Sequence, residues 1–311
     1  MKYFHDIIFM VIIWMLVNKY IPFVDNIASE YQYNANIRHL LYLIVPAFVE
    51  KYGYKNENLI QHVFKRVIIQ IKEDKNSFEE AFYTSIPKFV DGKIYTYQYV
   101  ILRKYSSNNL IQLLDNLVHE FNHAIHSSRK EIRIEKDKLY LRTGLTEAVY
   151  SYPSLQGLSK KNTYLLEEIL NTIQTEEVIN IIKQHTDLSN EEIATSIRAI
   201  NQETGSHYRS KSYYLETVLF QHVLKNRTFT STLNNLRLSG DIEDIESWFD
   251  HITGVSHSYA NLNQYLVDIM NLEMEYSKKK YFKGITLSKI KNLLDKCFSI
   301  IDTFNENCHF K

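Results

Sequence analysis

Only 8 glycines and 4 prolines punctuate the 311 residues of this chain, where average usage would supply roughly three times as many. With so few residues suited to tight turns or helix stops, the chain is expected to run in long helices rather than in a many-turned β architecture. Hydrophobic residues make up 45% of it and charged residues 23%, enough to bury one large core or two lobes. Lys+Arg and Asp+Glu stand at 36 each. No basic excess points to nucleic acid, and no acidic excess points to a basic partner. The run Lys278-Lys279-Lys280, close to Glu273 and Glu275, reads as a solvated helix end. Cys297 and Cys308 fit no zinc-knuckle spacing and are too few for a disulfide framework. Cys297 shares an apolar helix face with Ile290, Leu293, Leu294, Ile300 and Ile301, so a buried thiol and a reducing, cytoplasmic setting are expected.

Residues 7–17, IIFMVIIWMLV, form a continuous apolar run bounded by Asp6 and Asn18. A membrane-spanning helix needs roughly 17–25 apolar residues, so this run is short for a span. Lys2 alone supplies the charge before it, and no small-x-small cleavage site follows. A buried or interfacial first helix is expected; membrane association or export through residues 7–17 is the alternative.

Along the chain, apolar residues recur at helical spacing over 38–71, with a break near Tyr52-Gly53-Tyr54, and 77–83 reads as another helical turn. Asp91-Gly92 marks a hairpin turn and opens a strand over 94–105, IYTYQYVILRKY. The polar run Ser106-Ser107-Asn108-Asn109 then caps a helix whose buried stripe is Leu110, Leu114, Leu117, Phe121 and Ile125. A second hairpin is expected over 131–141, with extended chain continuing to Tyr152. From Tyr164 onward the pattern is helical, with further helices at 213–224, 242–252, 259–276 and 287–304. The expected class is α+β and predominantly helical, with one small β-sheet beside the capped helix. Two lobes are expected, 1–128 and a helical C-terminal lobe over 129–311.

The capped helix carries His119-Glu120-Phe121-Asn122-His123. Residues four apart lie one turn above each other on an α-helix, so His119 and His123 can offer two imidazoles to one ion. Zinc takes nitrogen ligands at about 2.0–2.1 Å in tetrahedral geometry. Glu120 is rotated off that face, so its carboxylate can act on a water without ligating the metal itself. His126 is out of register with the pair and reads as helix-end surface.

The stretch LVHEFNHAIHS resembles the active-site helix of zincin metallopeptidases. The resemblance matches the family's edge strand to residues 94–105. Arg129 and Lys130 stand where a metzincin would place its third histidine. The resemblance is therefore to the gluzincin branch, which implies a third ligand from a glutamate on a later helix. Glu168 and Glu147 compete for that role. Glu168 lies on a long helix, which holds a ligand more rigidly, although Glu167 replaces the branch's usual asparagine. Glu147 is followed by Val149, Tyr150, Tyr152 and Pro153, which leave little room for a helix. The implied set is His119, His123 and Glu168 on Zn2+, with Glu120 as general base and a peptide or protein as substrate. His207, Tyr208, Tyr213 and Tyr214 are candidate oxyanion donors. Two other classes compete: a dimetal bundle using Glu120-x-x-His123 and Glu306-x-x-His309, and a non-catalytic helical interaction protein with an inert motif, with or without membrane association.

Overall fold

The computed structural model describes residues 19–74, 76–77, 79–105, 109–160, 164–184, 217–241, 245–278 and 283–308. The expectations for residues 7–17, for Ser106, Ser107 and Asn108, for Lys279 and Lys280, and for His309 lie outside them. Helices predominate, with two small sheets, in an α+β arrangement. No helix among the described residues is long and apolar enough to cross a membrane. The chain divides into two compact units, Met1–Ser128 with Gln174–Ser210, and Arg129–Ile173 with Lys211–Lys311.

In the first unit, helix α1 covers residues 19–30 and α2 covers Ala35–Tyr52. The Asn34 side chain caps α2 by accepting from the Ile37 amide at 3.0 Å. Its residues from Leu40 to Val49 are all buried, so this helix is apolar all round and forms the middle of its unit. Helix α3, Glu57–Arg66, gives way to strand β1, Val67–Ile71. The expected helix through residue 71 is thus cut short. The run VIIQI is apolar enough to fit a helical stripe, but its β-branched side chains pack better on a pleated surface. Strand β2, Ala81–Val90, likewise replaces the helical turn expected near 77–83. It joins strand β3, Lys93–Leu102, through Asp91-Gly92, both at positive φ (49° and 75°).

The sheet order is β1-β3-β2, with β1 parallel and β2 antiparallel to β3. The strand over 94–105 is therefore central. The edge beside the motif helix is β2, because β1 takes the far side of β3. Helix α4, Leu110–Ser127, follows, with the Asn109 side chain accepting from the Gln112 amide at 3.0 Å. Leu114, Leu117, Phe121 and Ile125 are buried, each stabilising the helix's placement by about 1.5–3 kcal/mol relative to exposure. Phe121 stacks on Phe64 of α3 with centroids 4.1 Å apart.

The second unit holds a sheet that the sequence pattern suggested as a hairpin followed by extended chain to Tyr152. It is an antiparallel meander of β4 (Ile132–Glu135), β5 (Lys138–Thr143), β6 (Thr146–Ser151) and β7 (Gly157–Lys160). Helix α5, Tyr164–Gln184, begins in this unit and continues unbroken into the first. Among the described residues the second unit also holds helices α6 (Thr217–Lys225), α7 (Arg227–Ser239), α8 (Ile245–Thr253), α9 (Ser258–Lys278) and α10 (Lys283–Cys308). Its core gathers Phe229, Phe249, Phe304 and Tyr259 with the apolar stripe of α5, Leu166, Ile169, Leu170 and Ile173.

Cys297 lies in this core, and burial pushes its thiol up to about 12. The thiolate is the reactive form. Iodoacetamide at about pH 8 is expected to label half-buried Cys308 in the native protein and to spare Cys297 until denaturant is added. Peptide mass spectrometry reads the two sites separately, and native labelling of Cys297 would contradict its burial.

Candidate metal centre

The motif residues occupy the interior half of α4. His119 and His123 are each 6% exposed and Glu120 is 7% exposed. The two imidazole rings have centroids 5.0 Å apart with planes at 76°, as one-turn spacing requires. Glu168, on the second turn of α5, is 5% exposed. One ligating atom from each of His119, His123 and Glu168 falls within 4.8 Å of the others. Among the described residues this buried group contains Glu168 and not Glu147. Glu147 lies on β6, opposite Arg142, with its carboxylate 3.4 Å from the Arg133 guanidinium.

The later part of α5, from Gln174 on, lies in the first unit. Residues 168 and 175 differ by seven, almost two turns, and share a helix face. Within the first unit the Thr175 hydroxyl accepts from Asn122 Nδ2 at 3.2 Å, and Asn122 is the residue before His123. Gln174 Oε1 lies 3.1 Å from the Tyr52 hydroxyl and shares its single proton with a second, closer acceptor. That same hydroxyl donates to Asn122 Oδ1 at 2.7 Å and lies 3.4 Å from His126 Nε2. His126 is fully buried, with its ring edge-to-face on Tyr52. The expected surface role of His126 is thus overturned, because α4 is packed on more than one face.

Glu167 has a different partner set. Its carboxylate accepts from Arg237 Nε at 2.9 Å, from Arg237 Nη2 at 2.5 Å and from the Leu145 amide at 2.8 Å. Arg237 is fully buried and also donates to Asn171 at 3.2 Å. Arg142 lies in the same buried group. Burial lowers its guanidinium to about 10, opposed by the Glu167 charge and reinforced by Arg237. Glu167, read from sequence as a departure from the family's asparagine, is therefore one half of a buried ion pair.

Glu120 Oε2 accepts from the Tyr83 backbone amide on β2 at 2.6 Å. Sequence reasoning missed this contact because a backbone donor leaves no residue-type signal. The outward N–H of an end strand would have been the clue once β2 was recognised as a strand. Tyr52 and Arg237 were missed because they are 70 and 114 positions from Asn122 and His123, respectively. The candidate oxyanion donors His207, Tyr208, Tyr213 and Tyr214 lie outside the described residues.

Two imidazole nitrogens and one carboxylate oxygen, buried together, are a donor set suited to zinc, and three protein ligands leave a fourth position open. No protein-family description and no solved structure matches the chain. Among curated proteins it is similar to SWI5-dependent HO expression protein 2 of Zygosaccharomyces rouxii, 26% identical over 164 residues. The match covers 51% of this chain and 61% of that protein, so the chain spans about six-tenths of the length of the relative it matches. At that identity and coverage the match does not place the chain in a family.

Proposed function

We propose that this chain is a zinc-dependent hydrolase cleaving peptide bonds, a zincin-like metallopeptidase of the gluzincin type. Its metal ligands are His119, His123 and Glu168, and its general base is Glu120. The observation that carries this is the convergence of those three buried ligating atoms within 4.8 Å, two from adjacent turns of one helix and one from another. Bound there, zinc supplies Lewis acidity, polarising a carbonyl and lowering the pKa of a water to about 7.

The chain's own residues do the rest. Glu120 takes a proton from the attacking water and returns it to the leaving amine. The Tyr83 amide on Oε2 helps to orient it. Burial of the group keeps bulk water from screening these charges. A peptide substrate is favoured because the end strand β2 runs past Glu120, and extended peptides are commonly held by strand addition. A cytoplasmic setting accords with two cysteines, of which one is buried.

Native mass spectrometry after zinc reconstitution tests the ligand set. Wild type is expected to retain about one zinc per chain. His123→Ala and Glu168→Ala are expected to lose it under the same wash, and Glu147→Ala to keep it. Zinc retained by Glu168→Ala and lost by Glu147→Ala would transfer the third-ligand role to Glu147.

A further inference from the structure

The Tyr52 hydroxyl, at the last residue of α2, is shared by the motif helix and by the helix that carries Glu168. Buried polar groups surround it, among them Asn122, His126 and Gln174. Phe48 stacks on the Tyr52 ring at 5.9 Å and fixes its plane from within α2. Asn122 uses both ends of its amide, accepting from Tyr52 and donating to Thr175. Apolar packing and directional bonds between buried groups together select one rotation of a helix pair, and the bonds are the angle-dependent part.

Rotation is what a metal ligand on α5 needs. One residue is 100° of helix, and Glu167, the neighbour of Glu168, is committed to Arg237. A turn of α5 would carry Glu168 away from the two imidazoles. Thr175 shares Glu168's face two turns on, so its bond to Asn122 reports and holds the same alignment.

We propose that Tyr52 is a positioning residue of the metal centre: through Asn122 and Gln174 it sets the rotation of α4 and α5 that brings Glu168 to His119 and His123. This rests on the metal reading above, and the test separates the two.

The test is Co2+ titration of the full chain, read by visible d–d absorption, with zinc affinity from competition against a chromophoric chelator. Wild type is expected to give the intense bands of a tetrahedral site. Tyr52→Phe keeps the ring on Phe48 and removes only the hydroxyl; it is expected to bind zinc about 10–100-fold more weakly, with weakened and shifted bands. Gln174→Met is expected to do the same, and Gln174→Glu, which keeps an acceptor oxygen, to restore most of the affinity. Thermal unfolding of the metal-free variants serves as the second readout. Variants that unfold more easily but show wild-type affinity and bands would overturn the positioning role and leave the metal centre standing. A wild type without d–d bands or zinc binding would overturn both.

Discussion

Glu120→Gln is expected to leave zinc content unchanged and to lower kcat by about 10²–10⁴-fold, the range that a positioned acid–base group supplies. The substitution isolates proton transfer because the side-chain oxygen of glutamine can still accept the Tyr83 amide that now meets Glu120 Oε2. Shape, packing and the strand contact are kept; only the capacity to take a proton is lost. Turnover of a mixed peptide library, compared at equal zinc loading, is the measurement. Turnover by Glu120→Gln within a few fold of wild type would remove Glu120 from the base role.

Stability should respond most to Gly144→Ala. Gly144 sits at φ 57° in the turn between β5 and β6, and a methyl group built there would lie 2.1 Å from the Glu167 carboxylate. The carboxylate has no room to yield, since it is held by Arg237 and the Leu145 amide. Displacing it leaves the fully buried Arg237 charge without its partner, which costs about 3–5 kcal/mol. Gly92→Ala, at φ 75° with nothing within 4 Å, should cost only the roughly 1–2 kcal/mol of a left-handed residue. Urea unfolding of the two variants side by side measures the difference. Equal losses would show that the Glu167–Arg237 pair adapts to the methyl group.

The motif helix was legible because three signals coincide in one short stretch: a polar cap at Asn109, an apolar stripe through Leu114 and Phe121, and two histidines one turn apart. The hairpin at Asp91-Gly92 was legible for a similar reason, since few residue pairs accept two positive φ values. Strands β1 and β2 were not. In VIIQI and in the residues around Tyr83, apolar spacing fits helix and strand alike, and pairing with β3 decides between them. The edge strand was misassigned on the same account: order in a sheet depends on partners distant in sequence. Glu168 was favoured over Glu147 on helix rigidity, whereas the role of Glu167 needed Arg237, 70 residues away. His126 looked like surface because the face it occupies is covered by Tyr52 from α2, a contact that no local pattern records.

X-ray absorption at the zinc edge of the reconstituted wild-type protein is the most direct test of the central claim. The expected first shell is two imidazole nitrogens and oxygen donors at about 2.0–2.2 Å, with the imidazole signal halved in His123→Ala if any metal is kept. A shell containing sulfur, a shell without imidazole, or a protein that takes up no zinc would contradict a metal centre built from His119, His123 and Glu168.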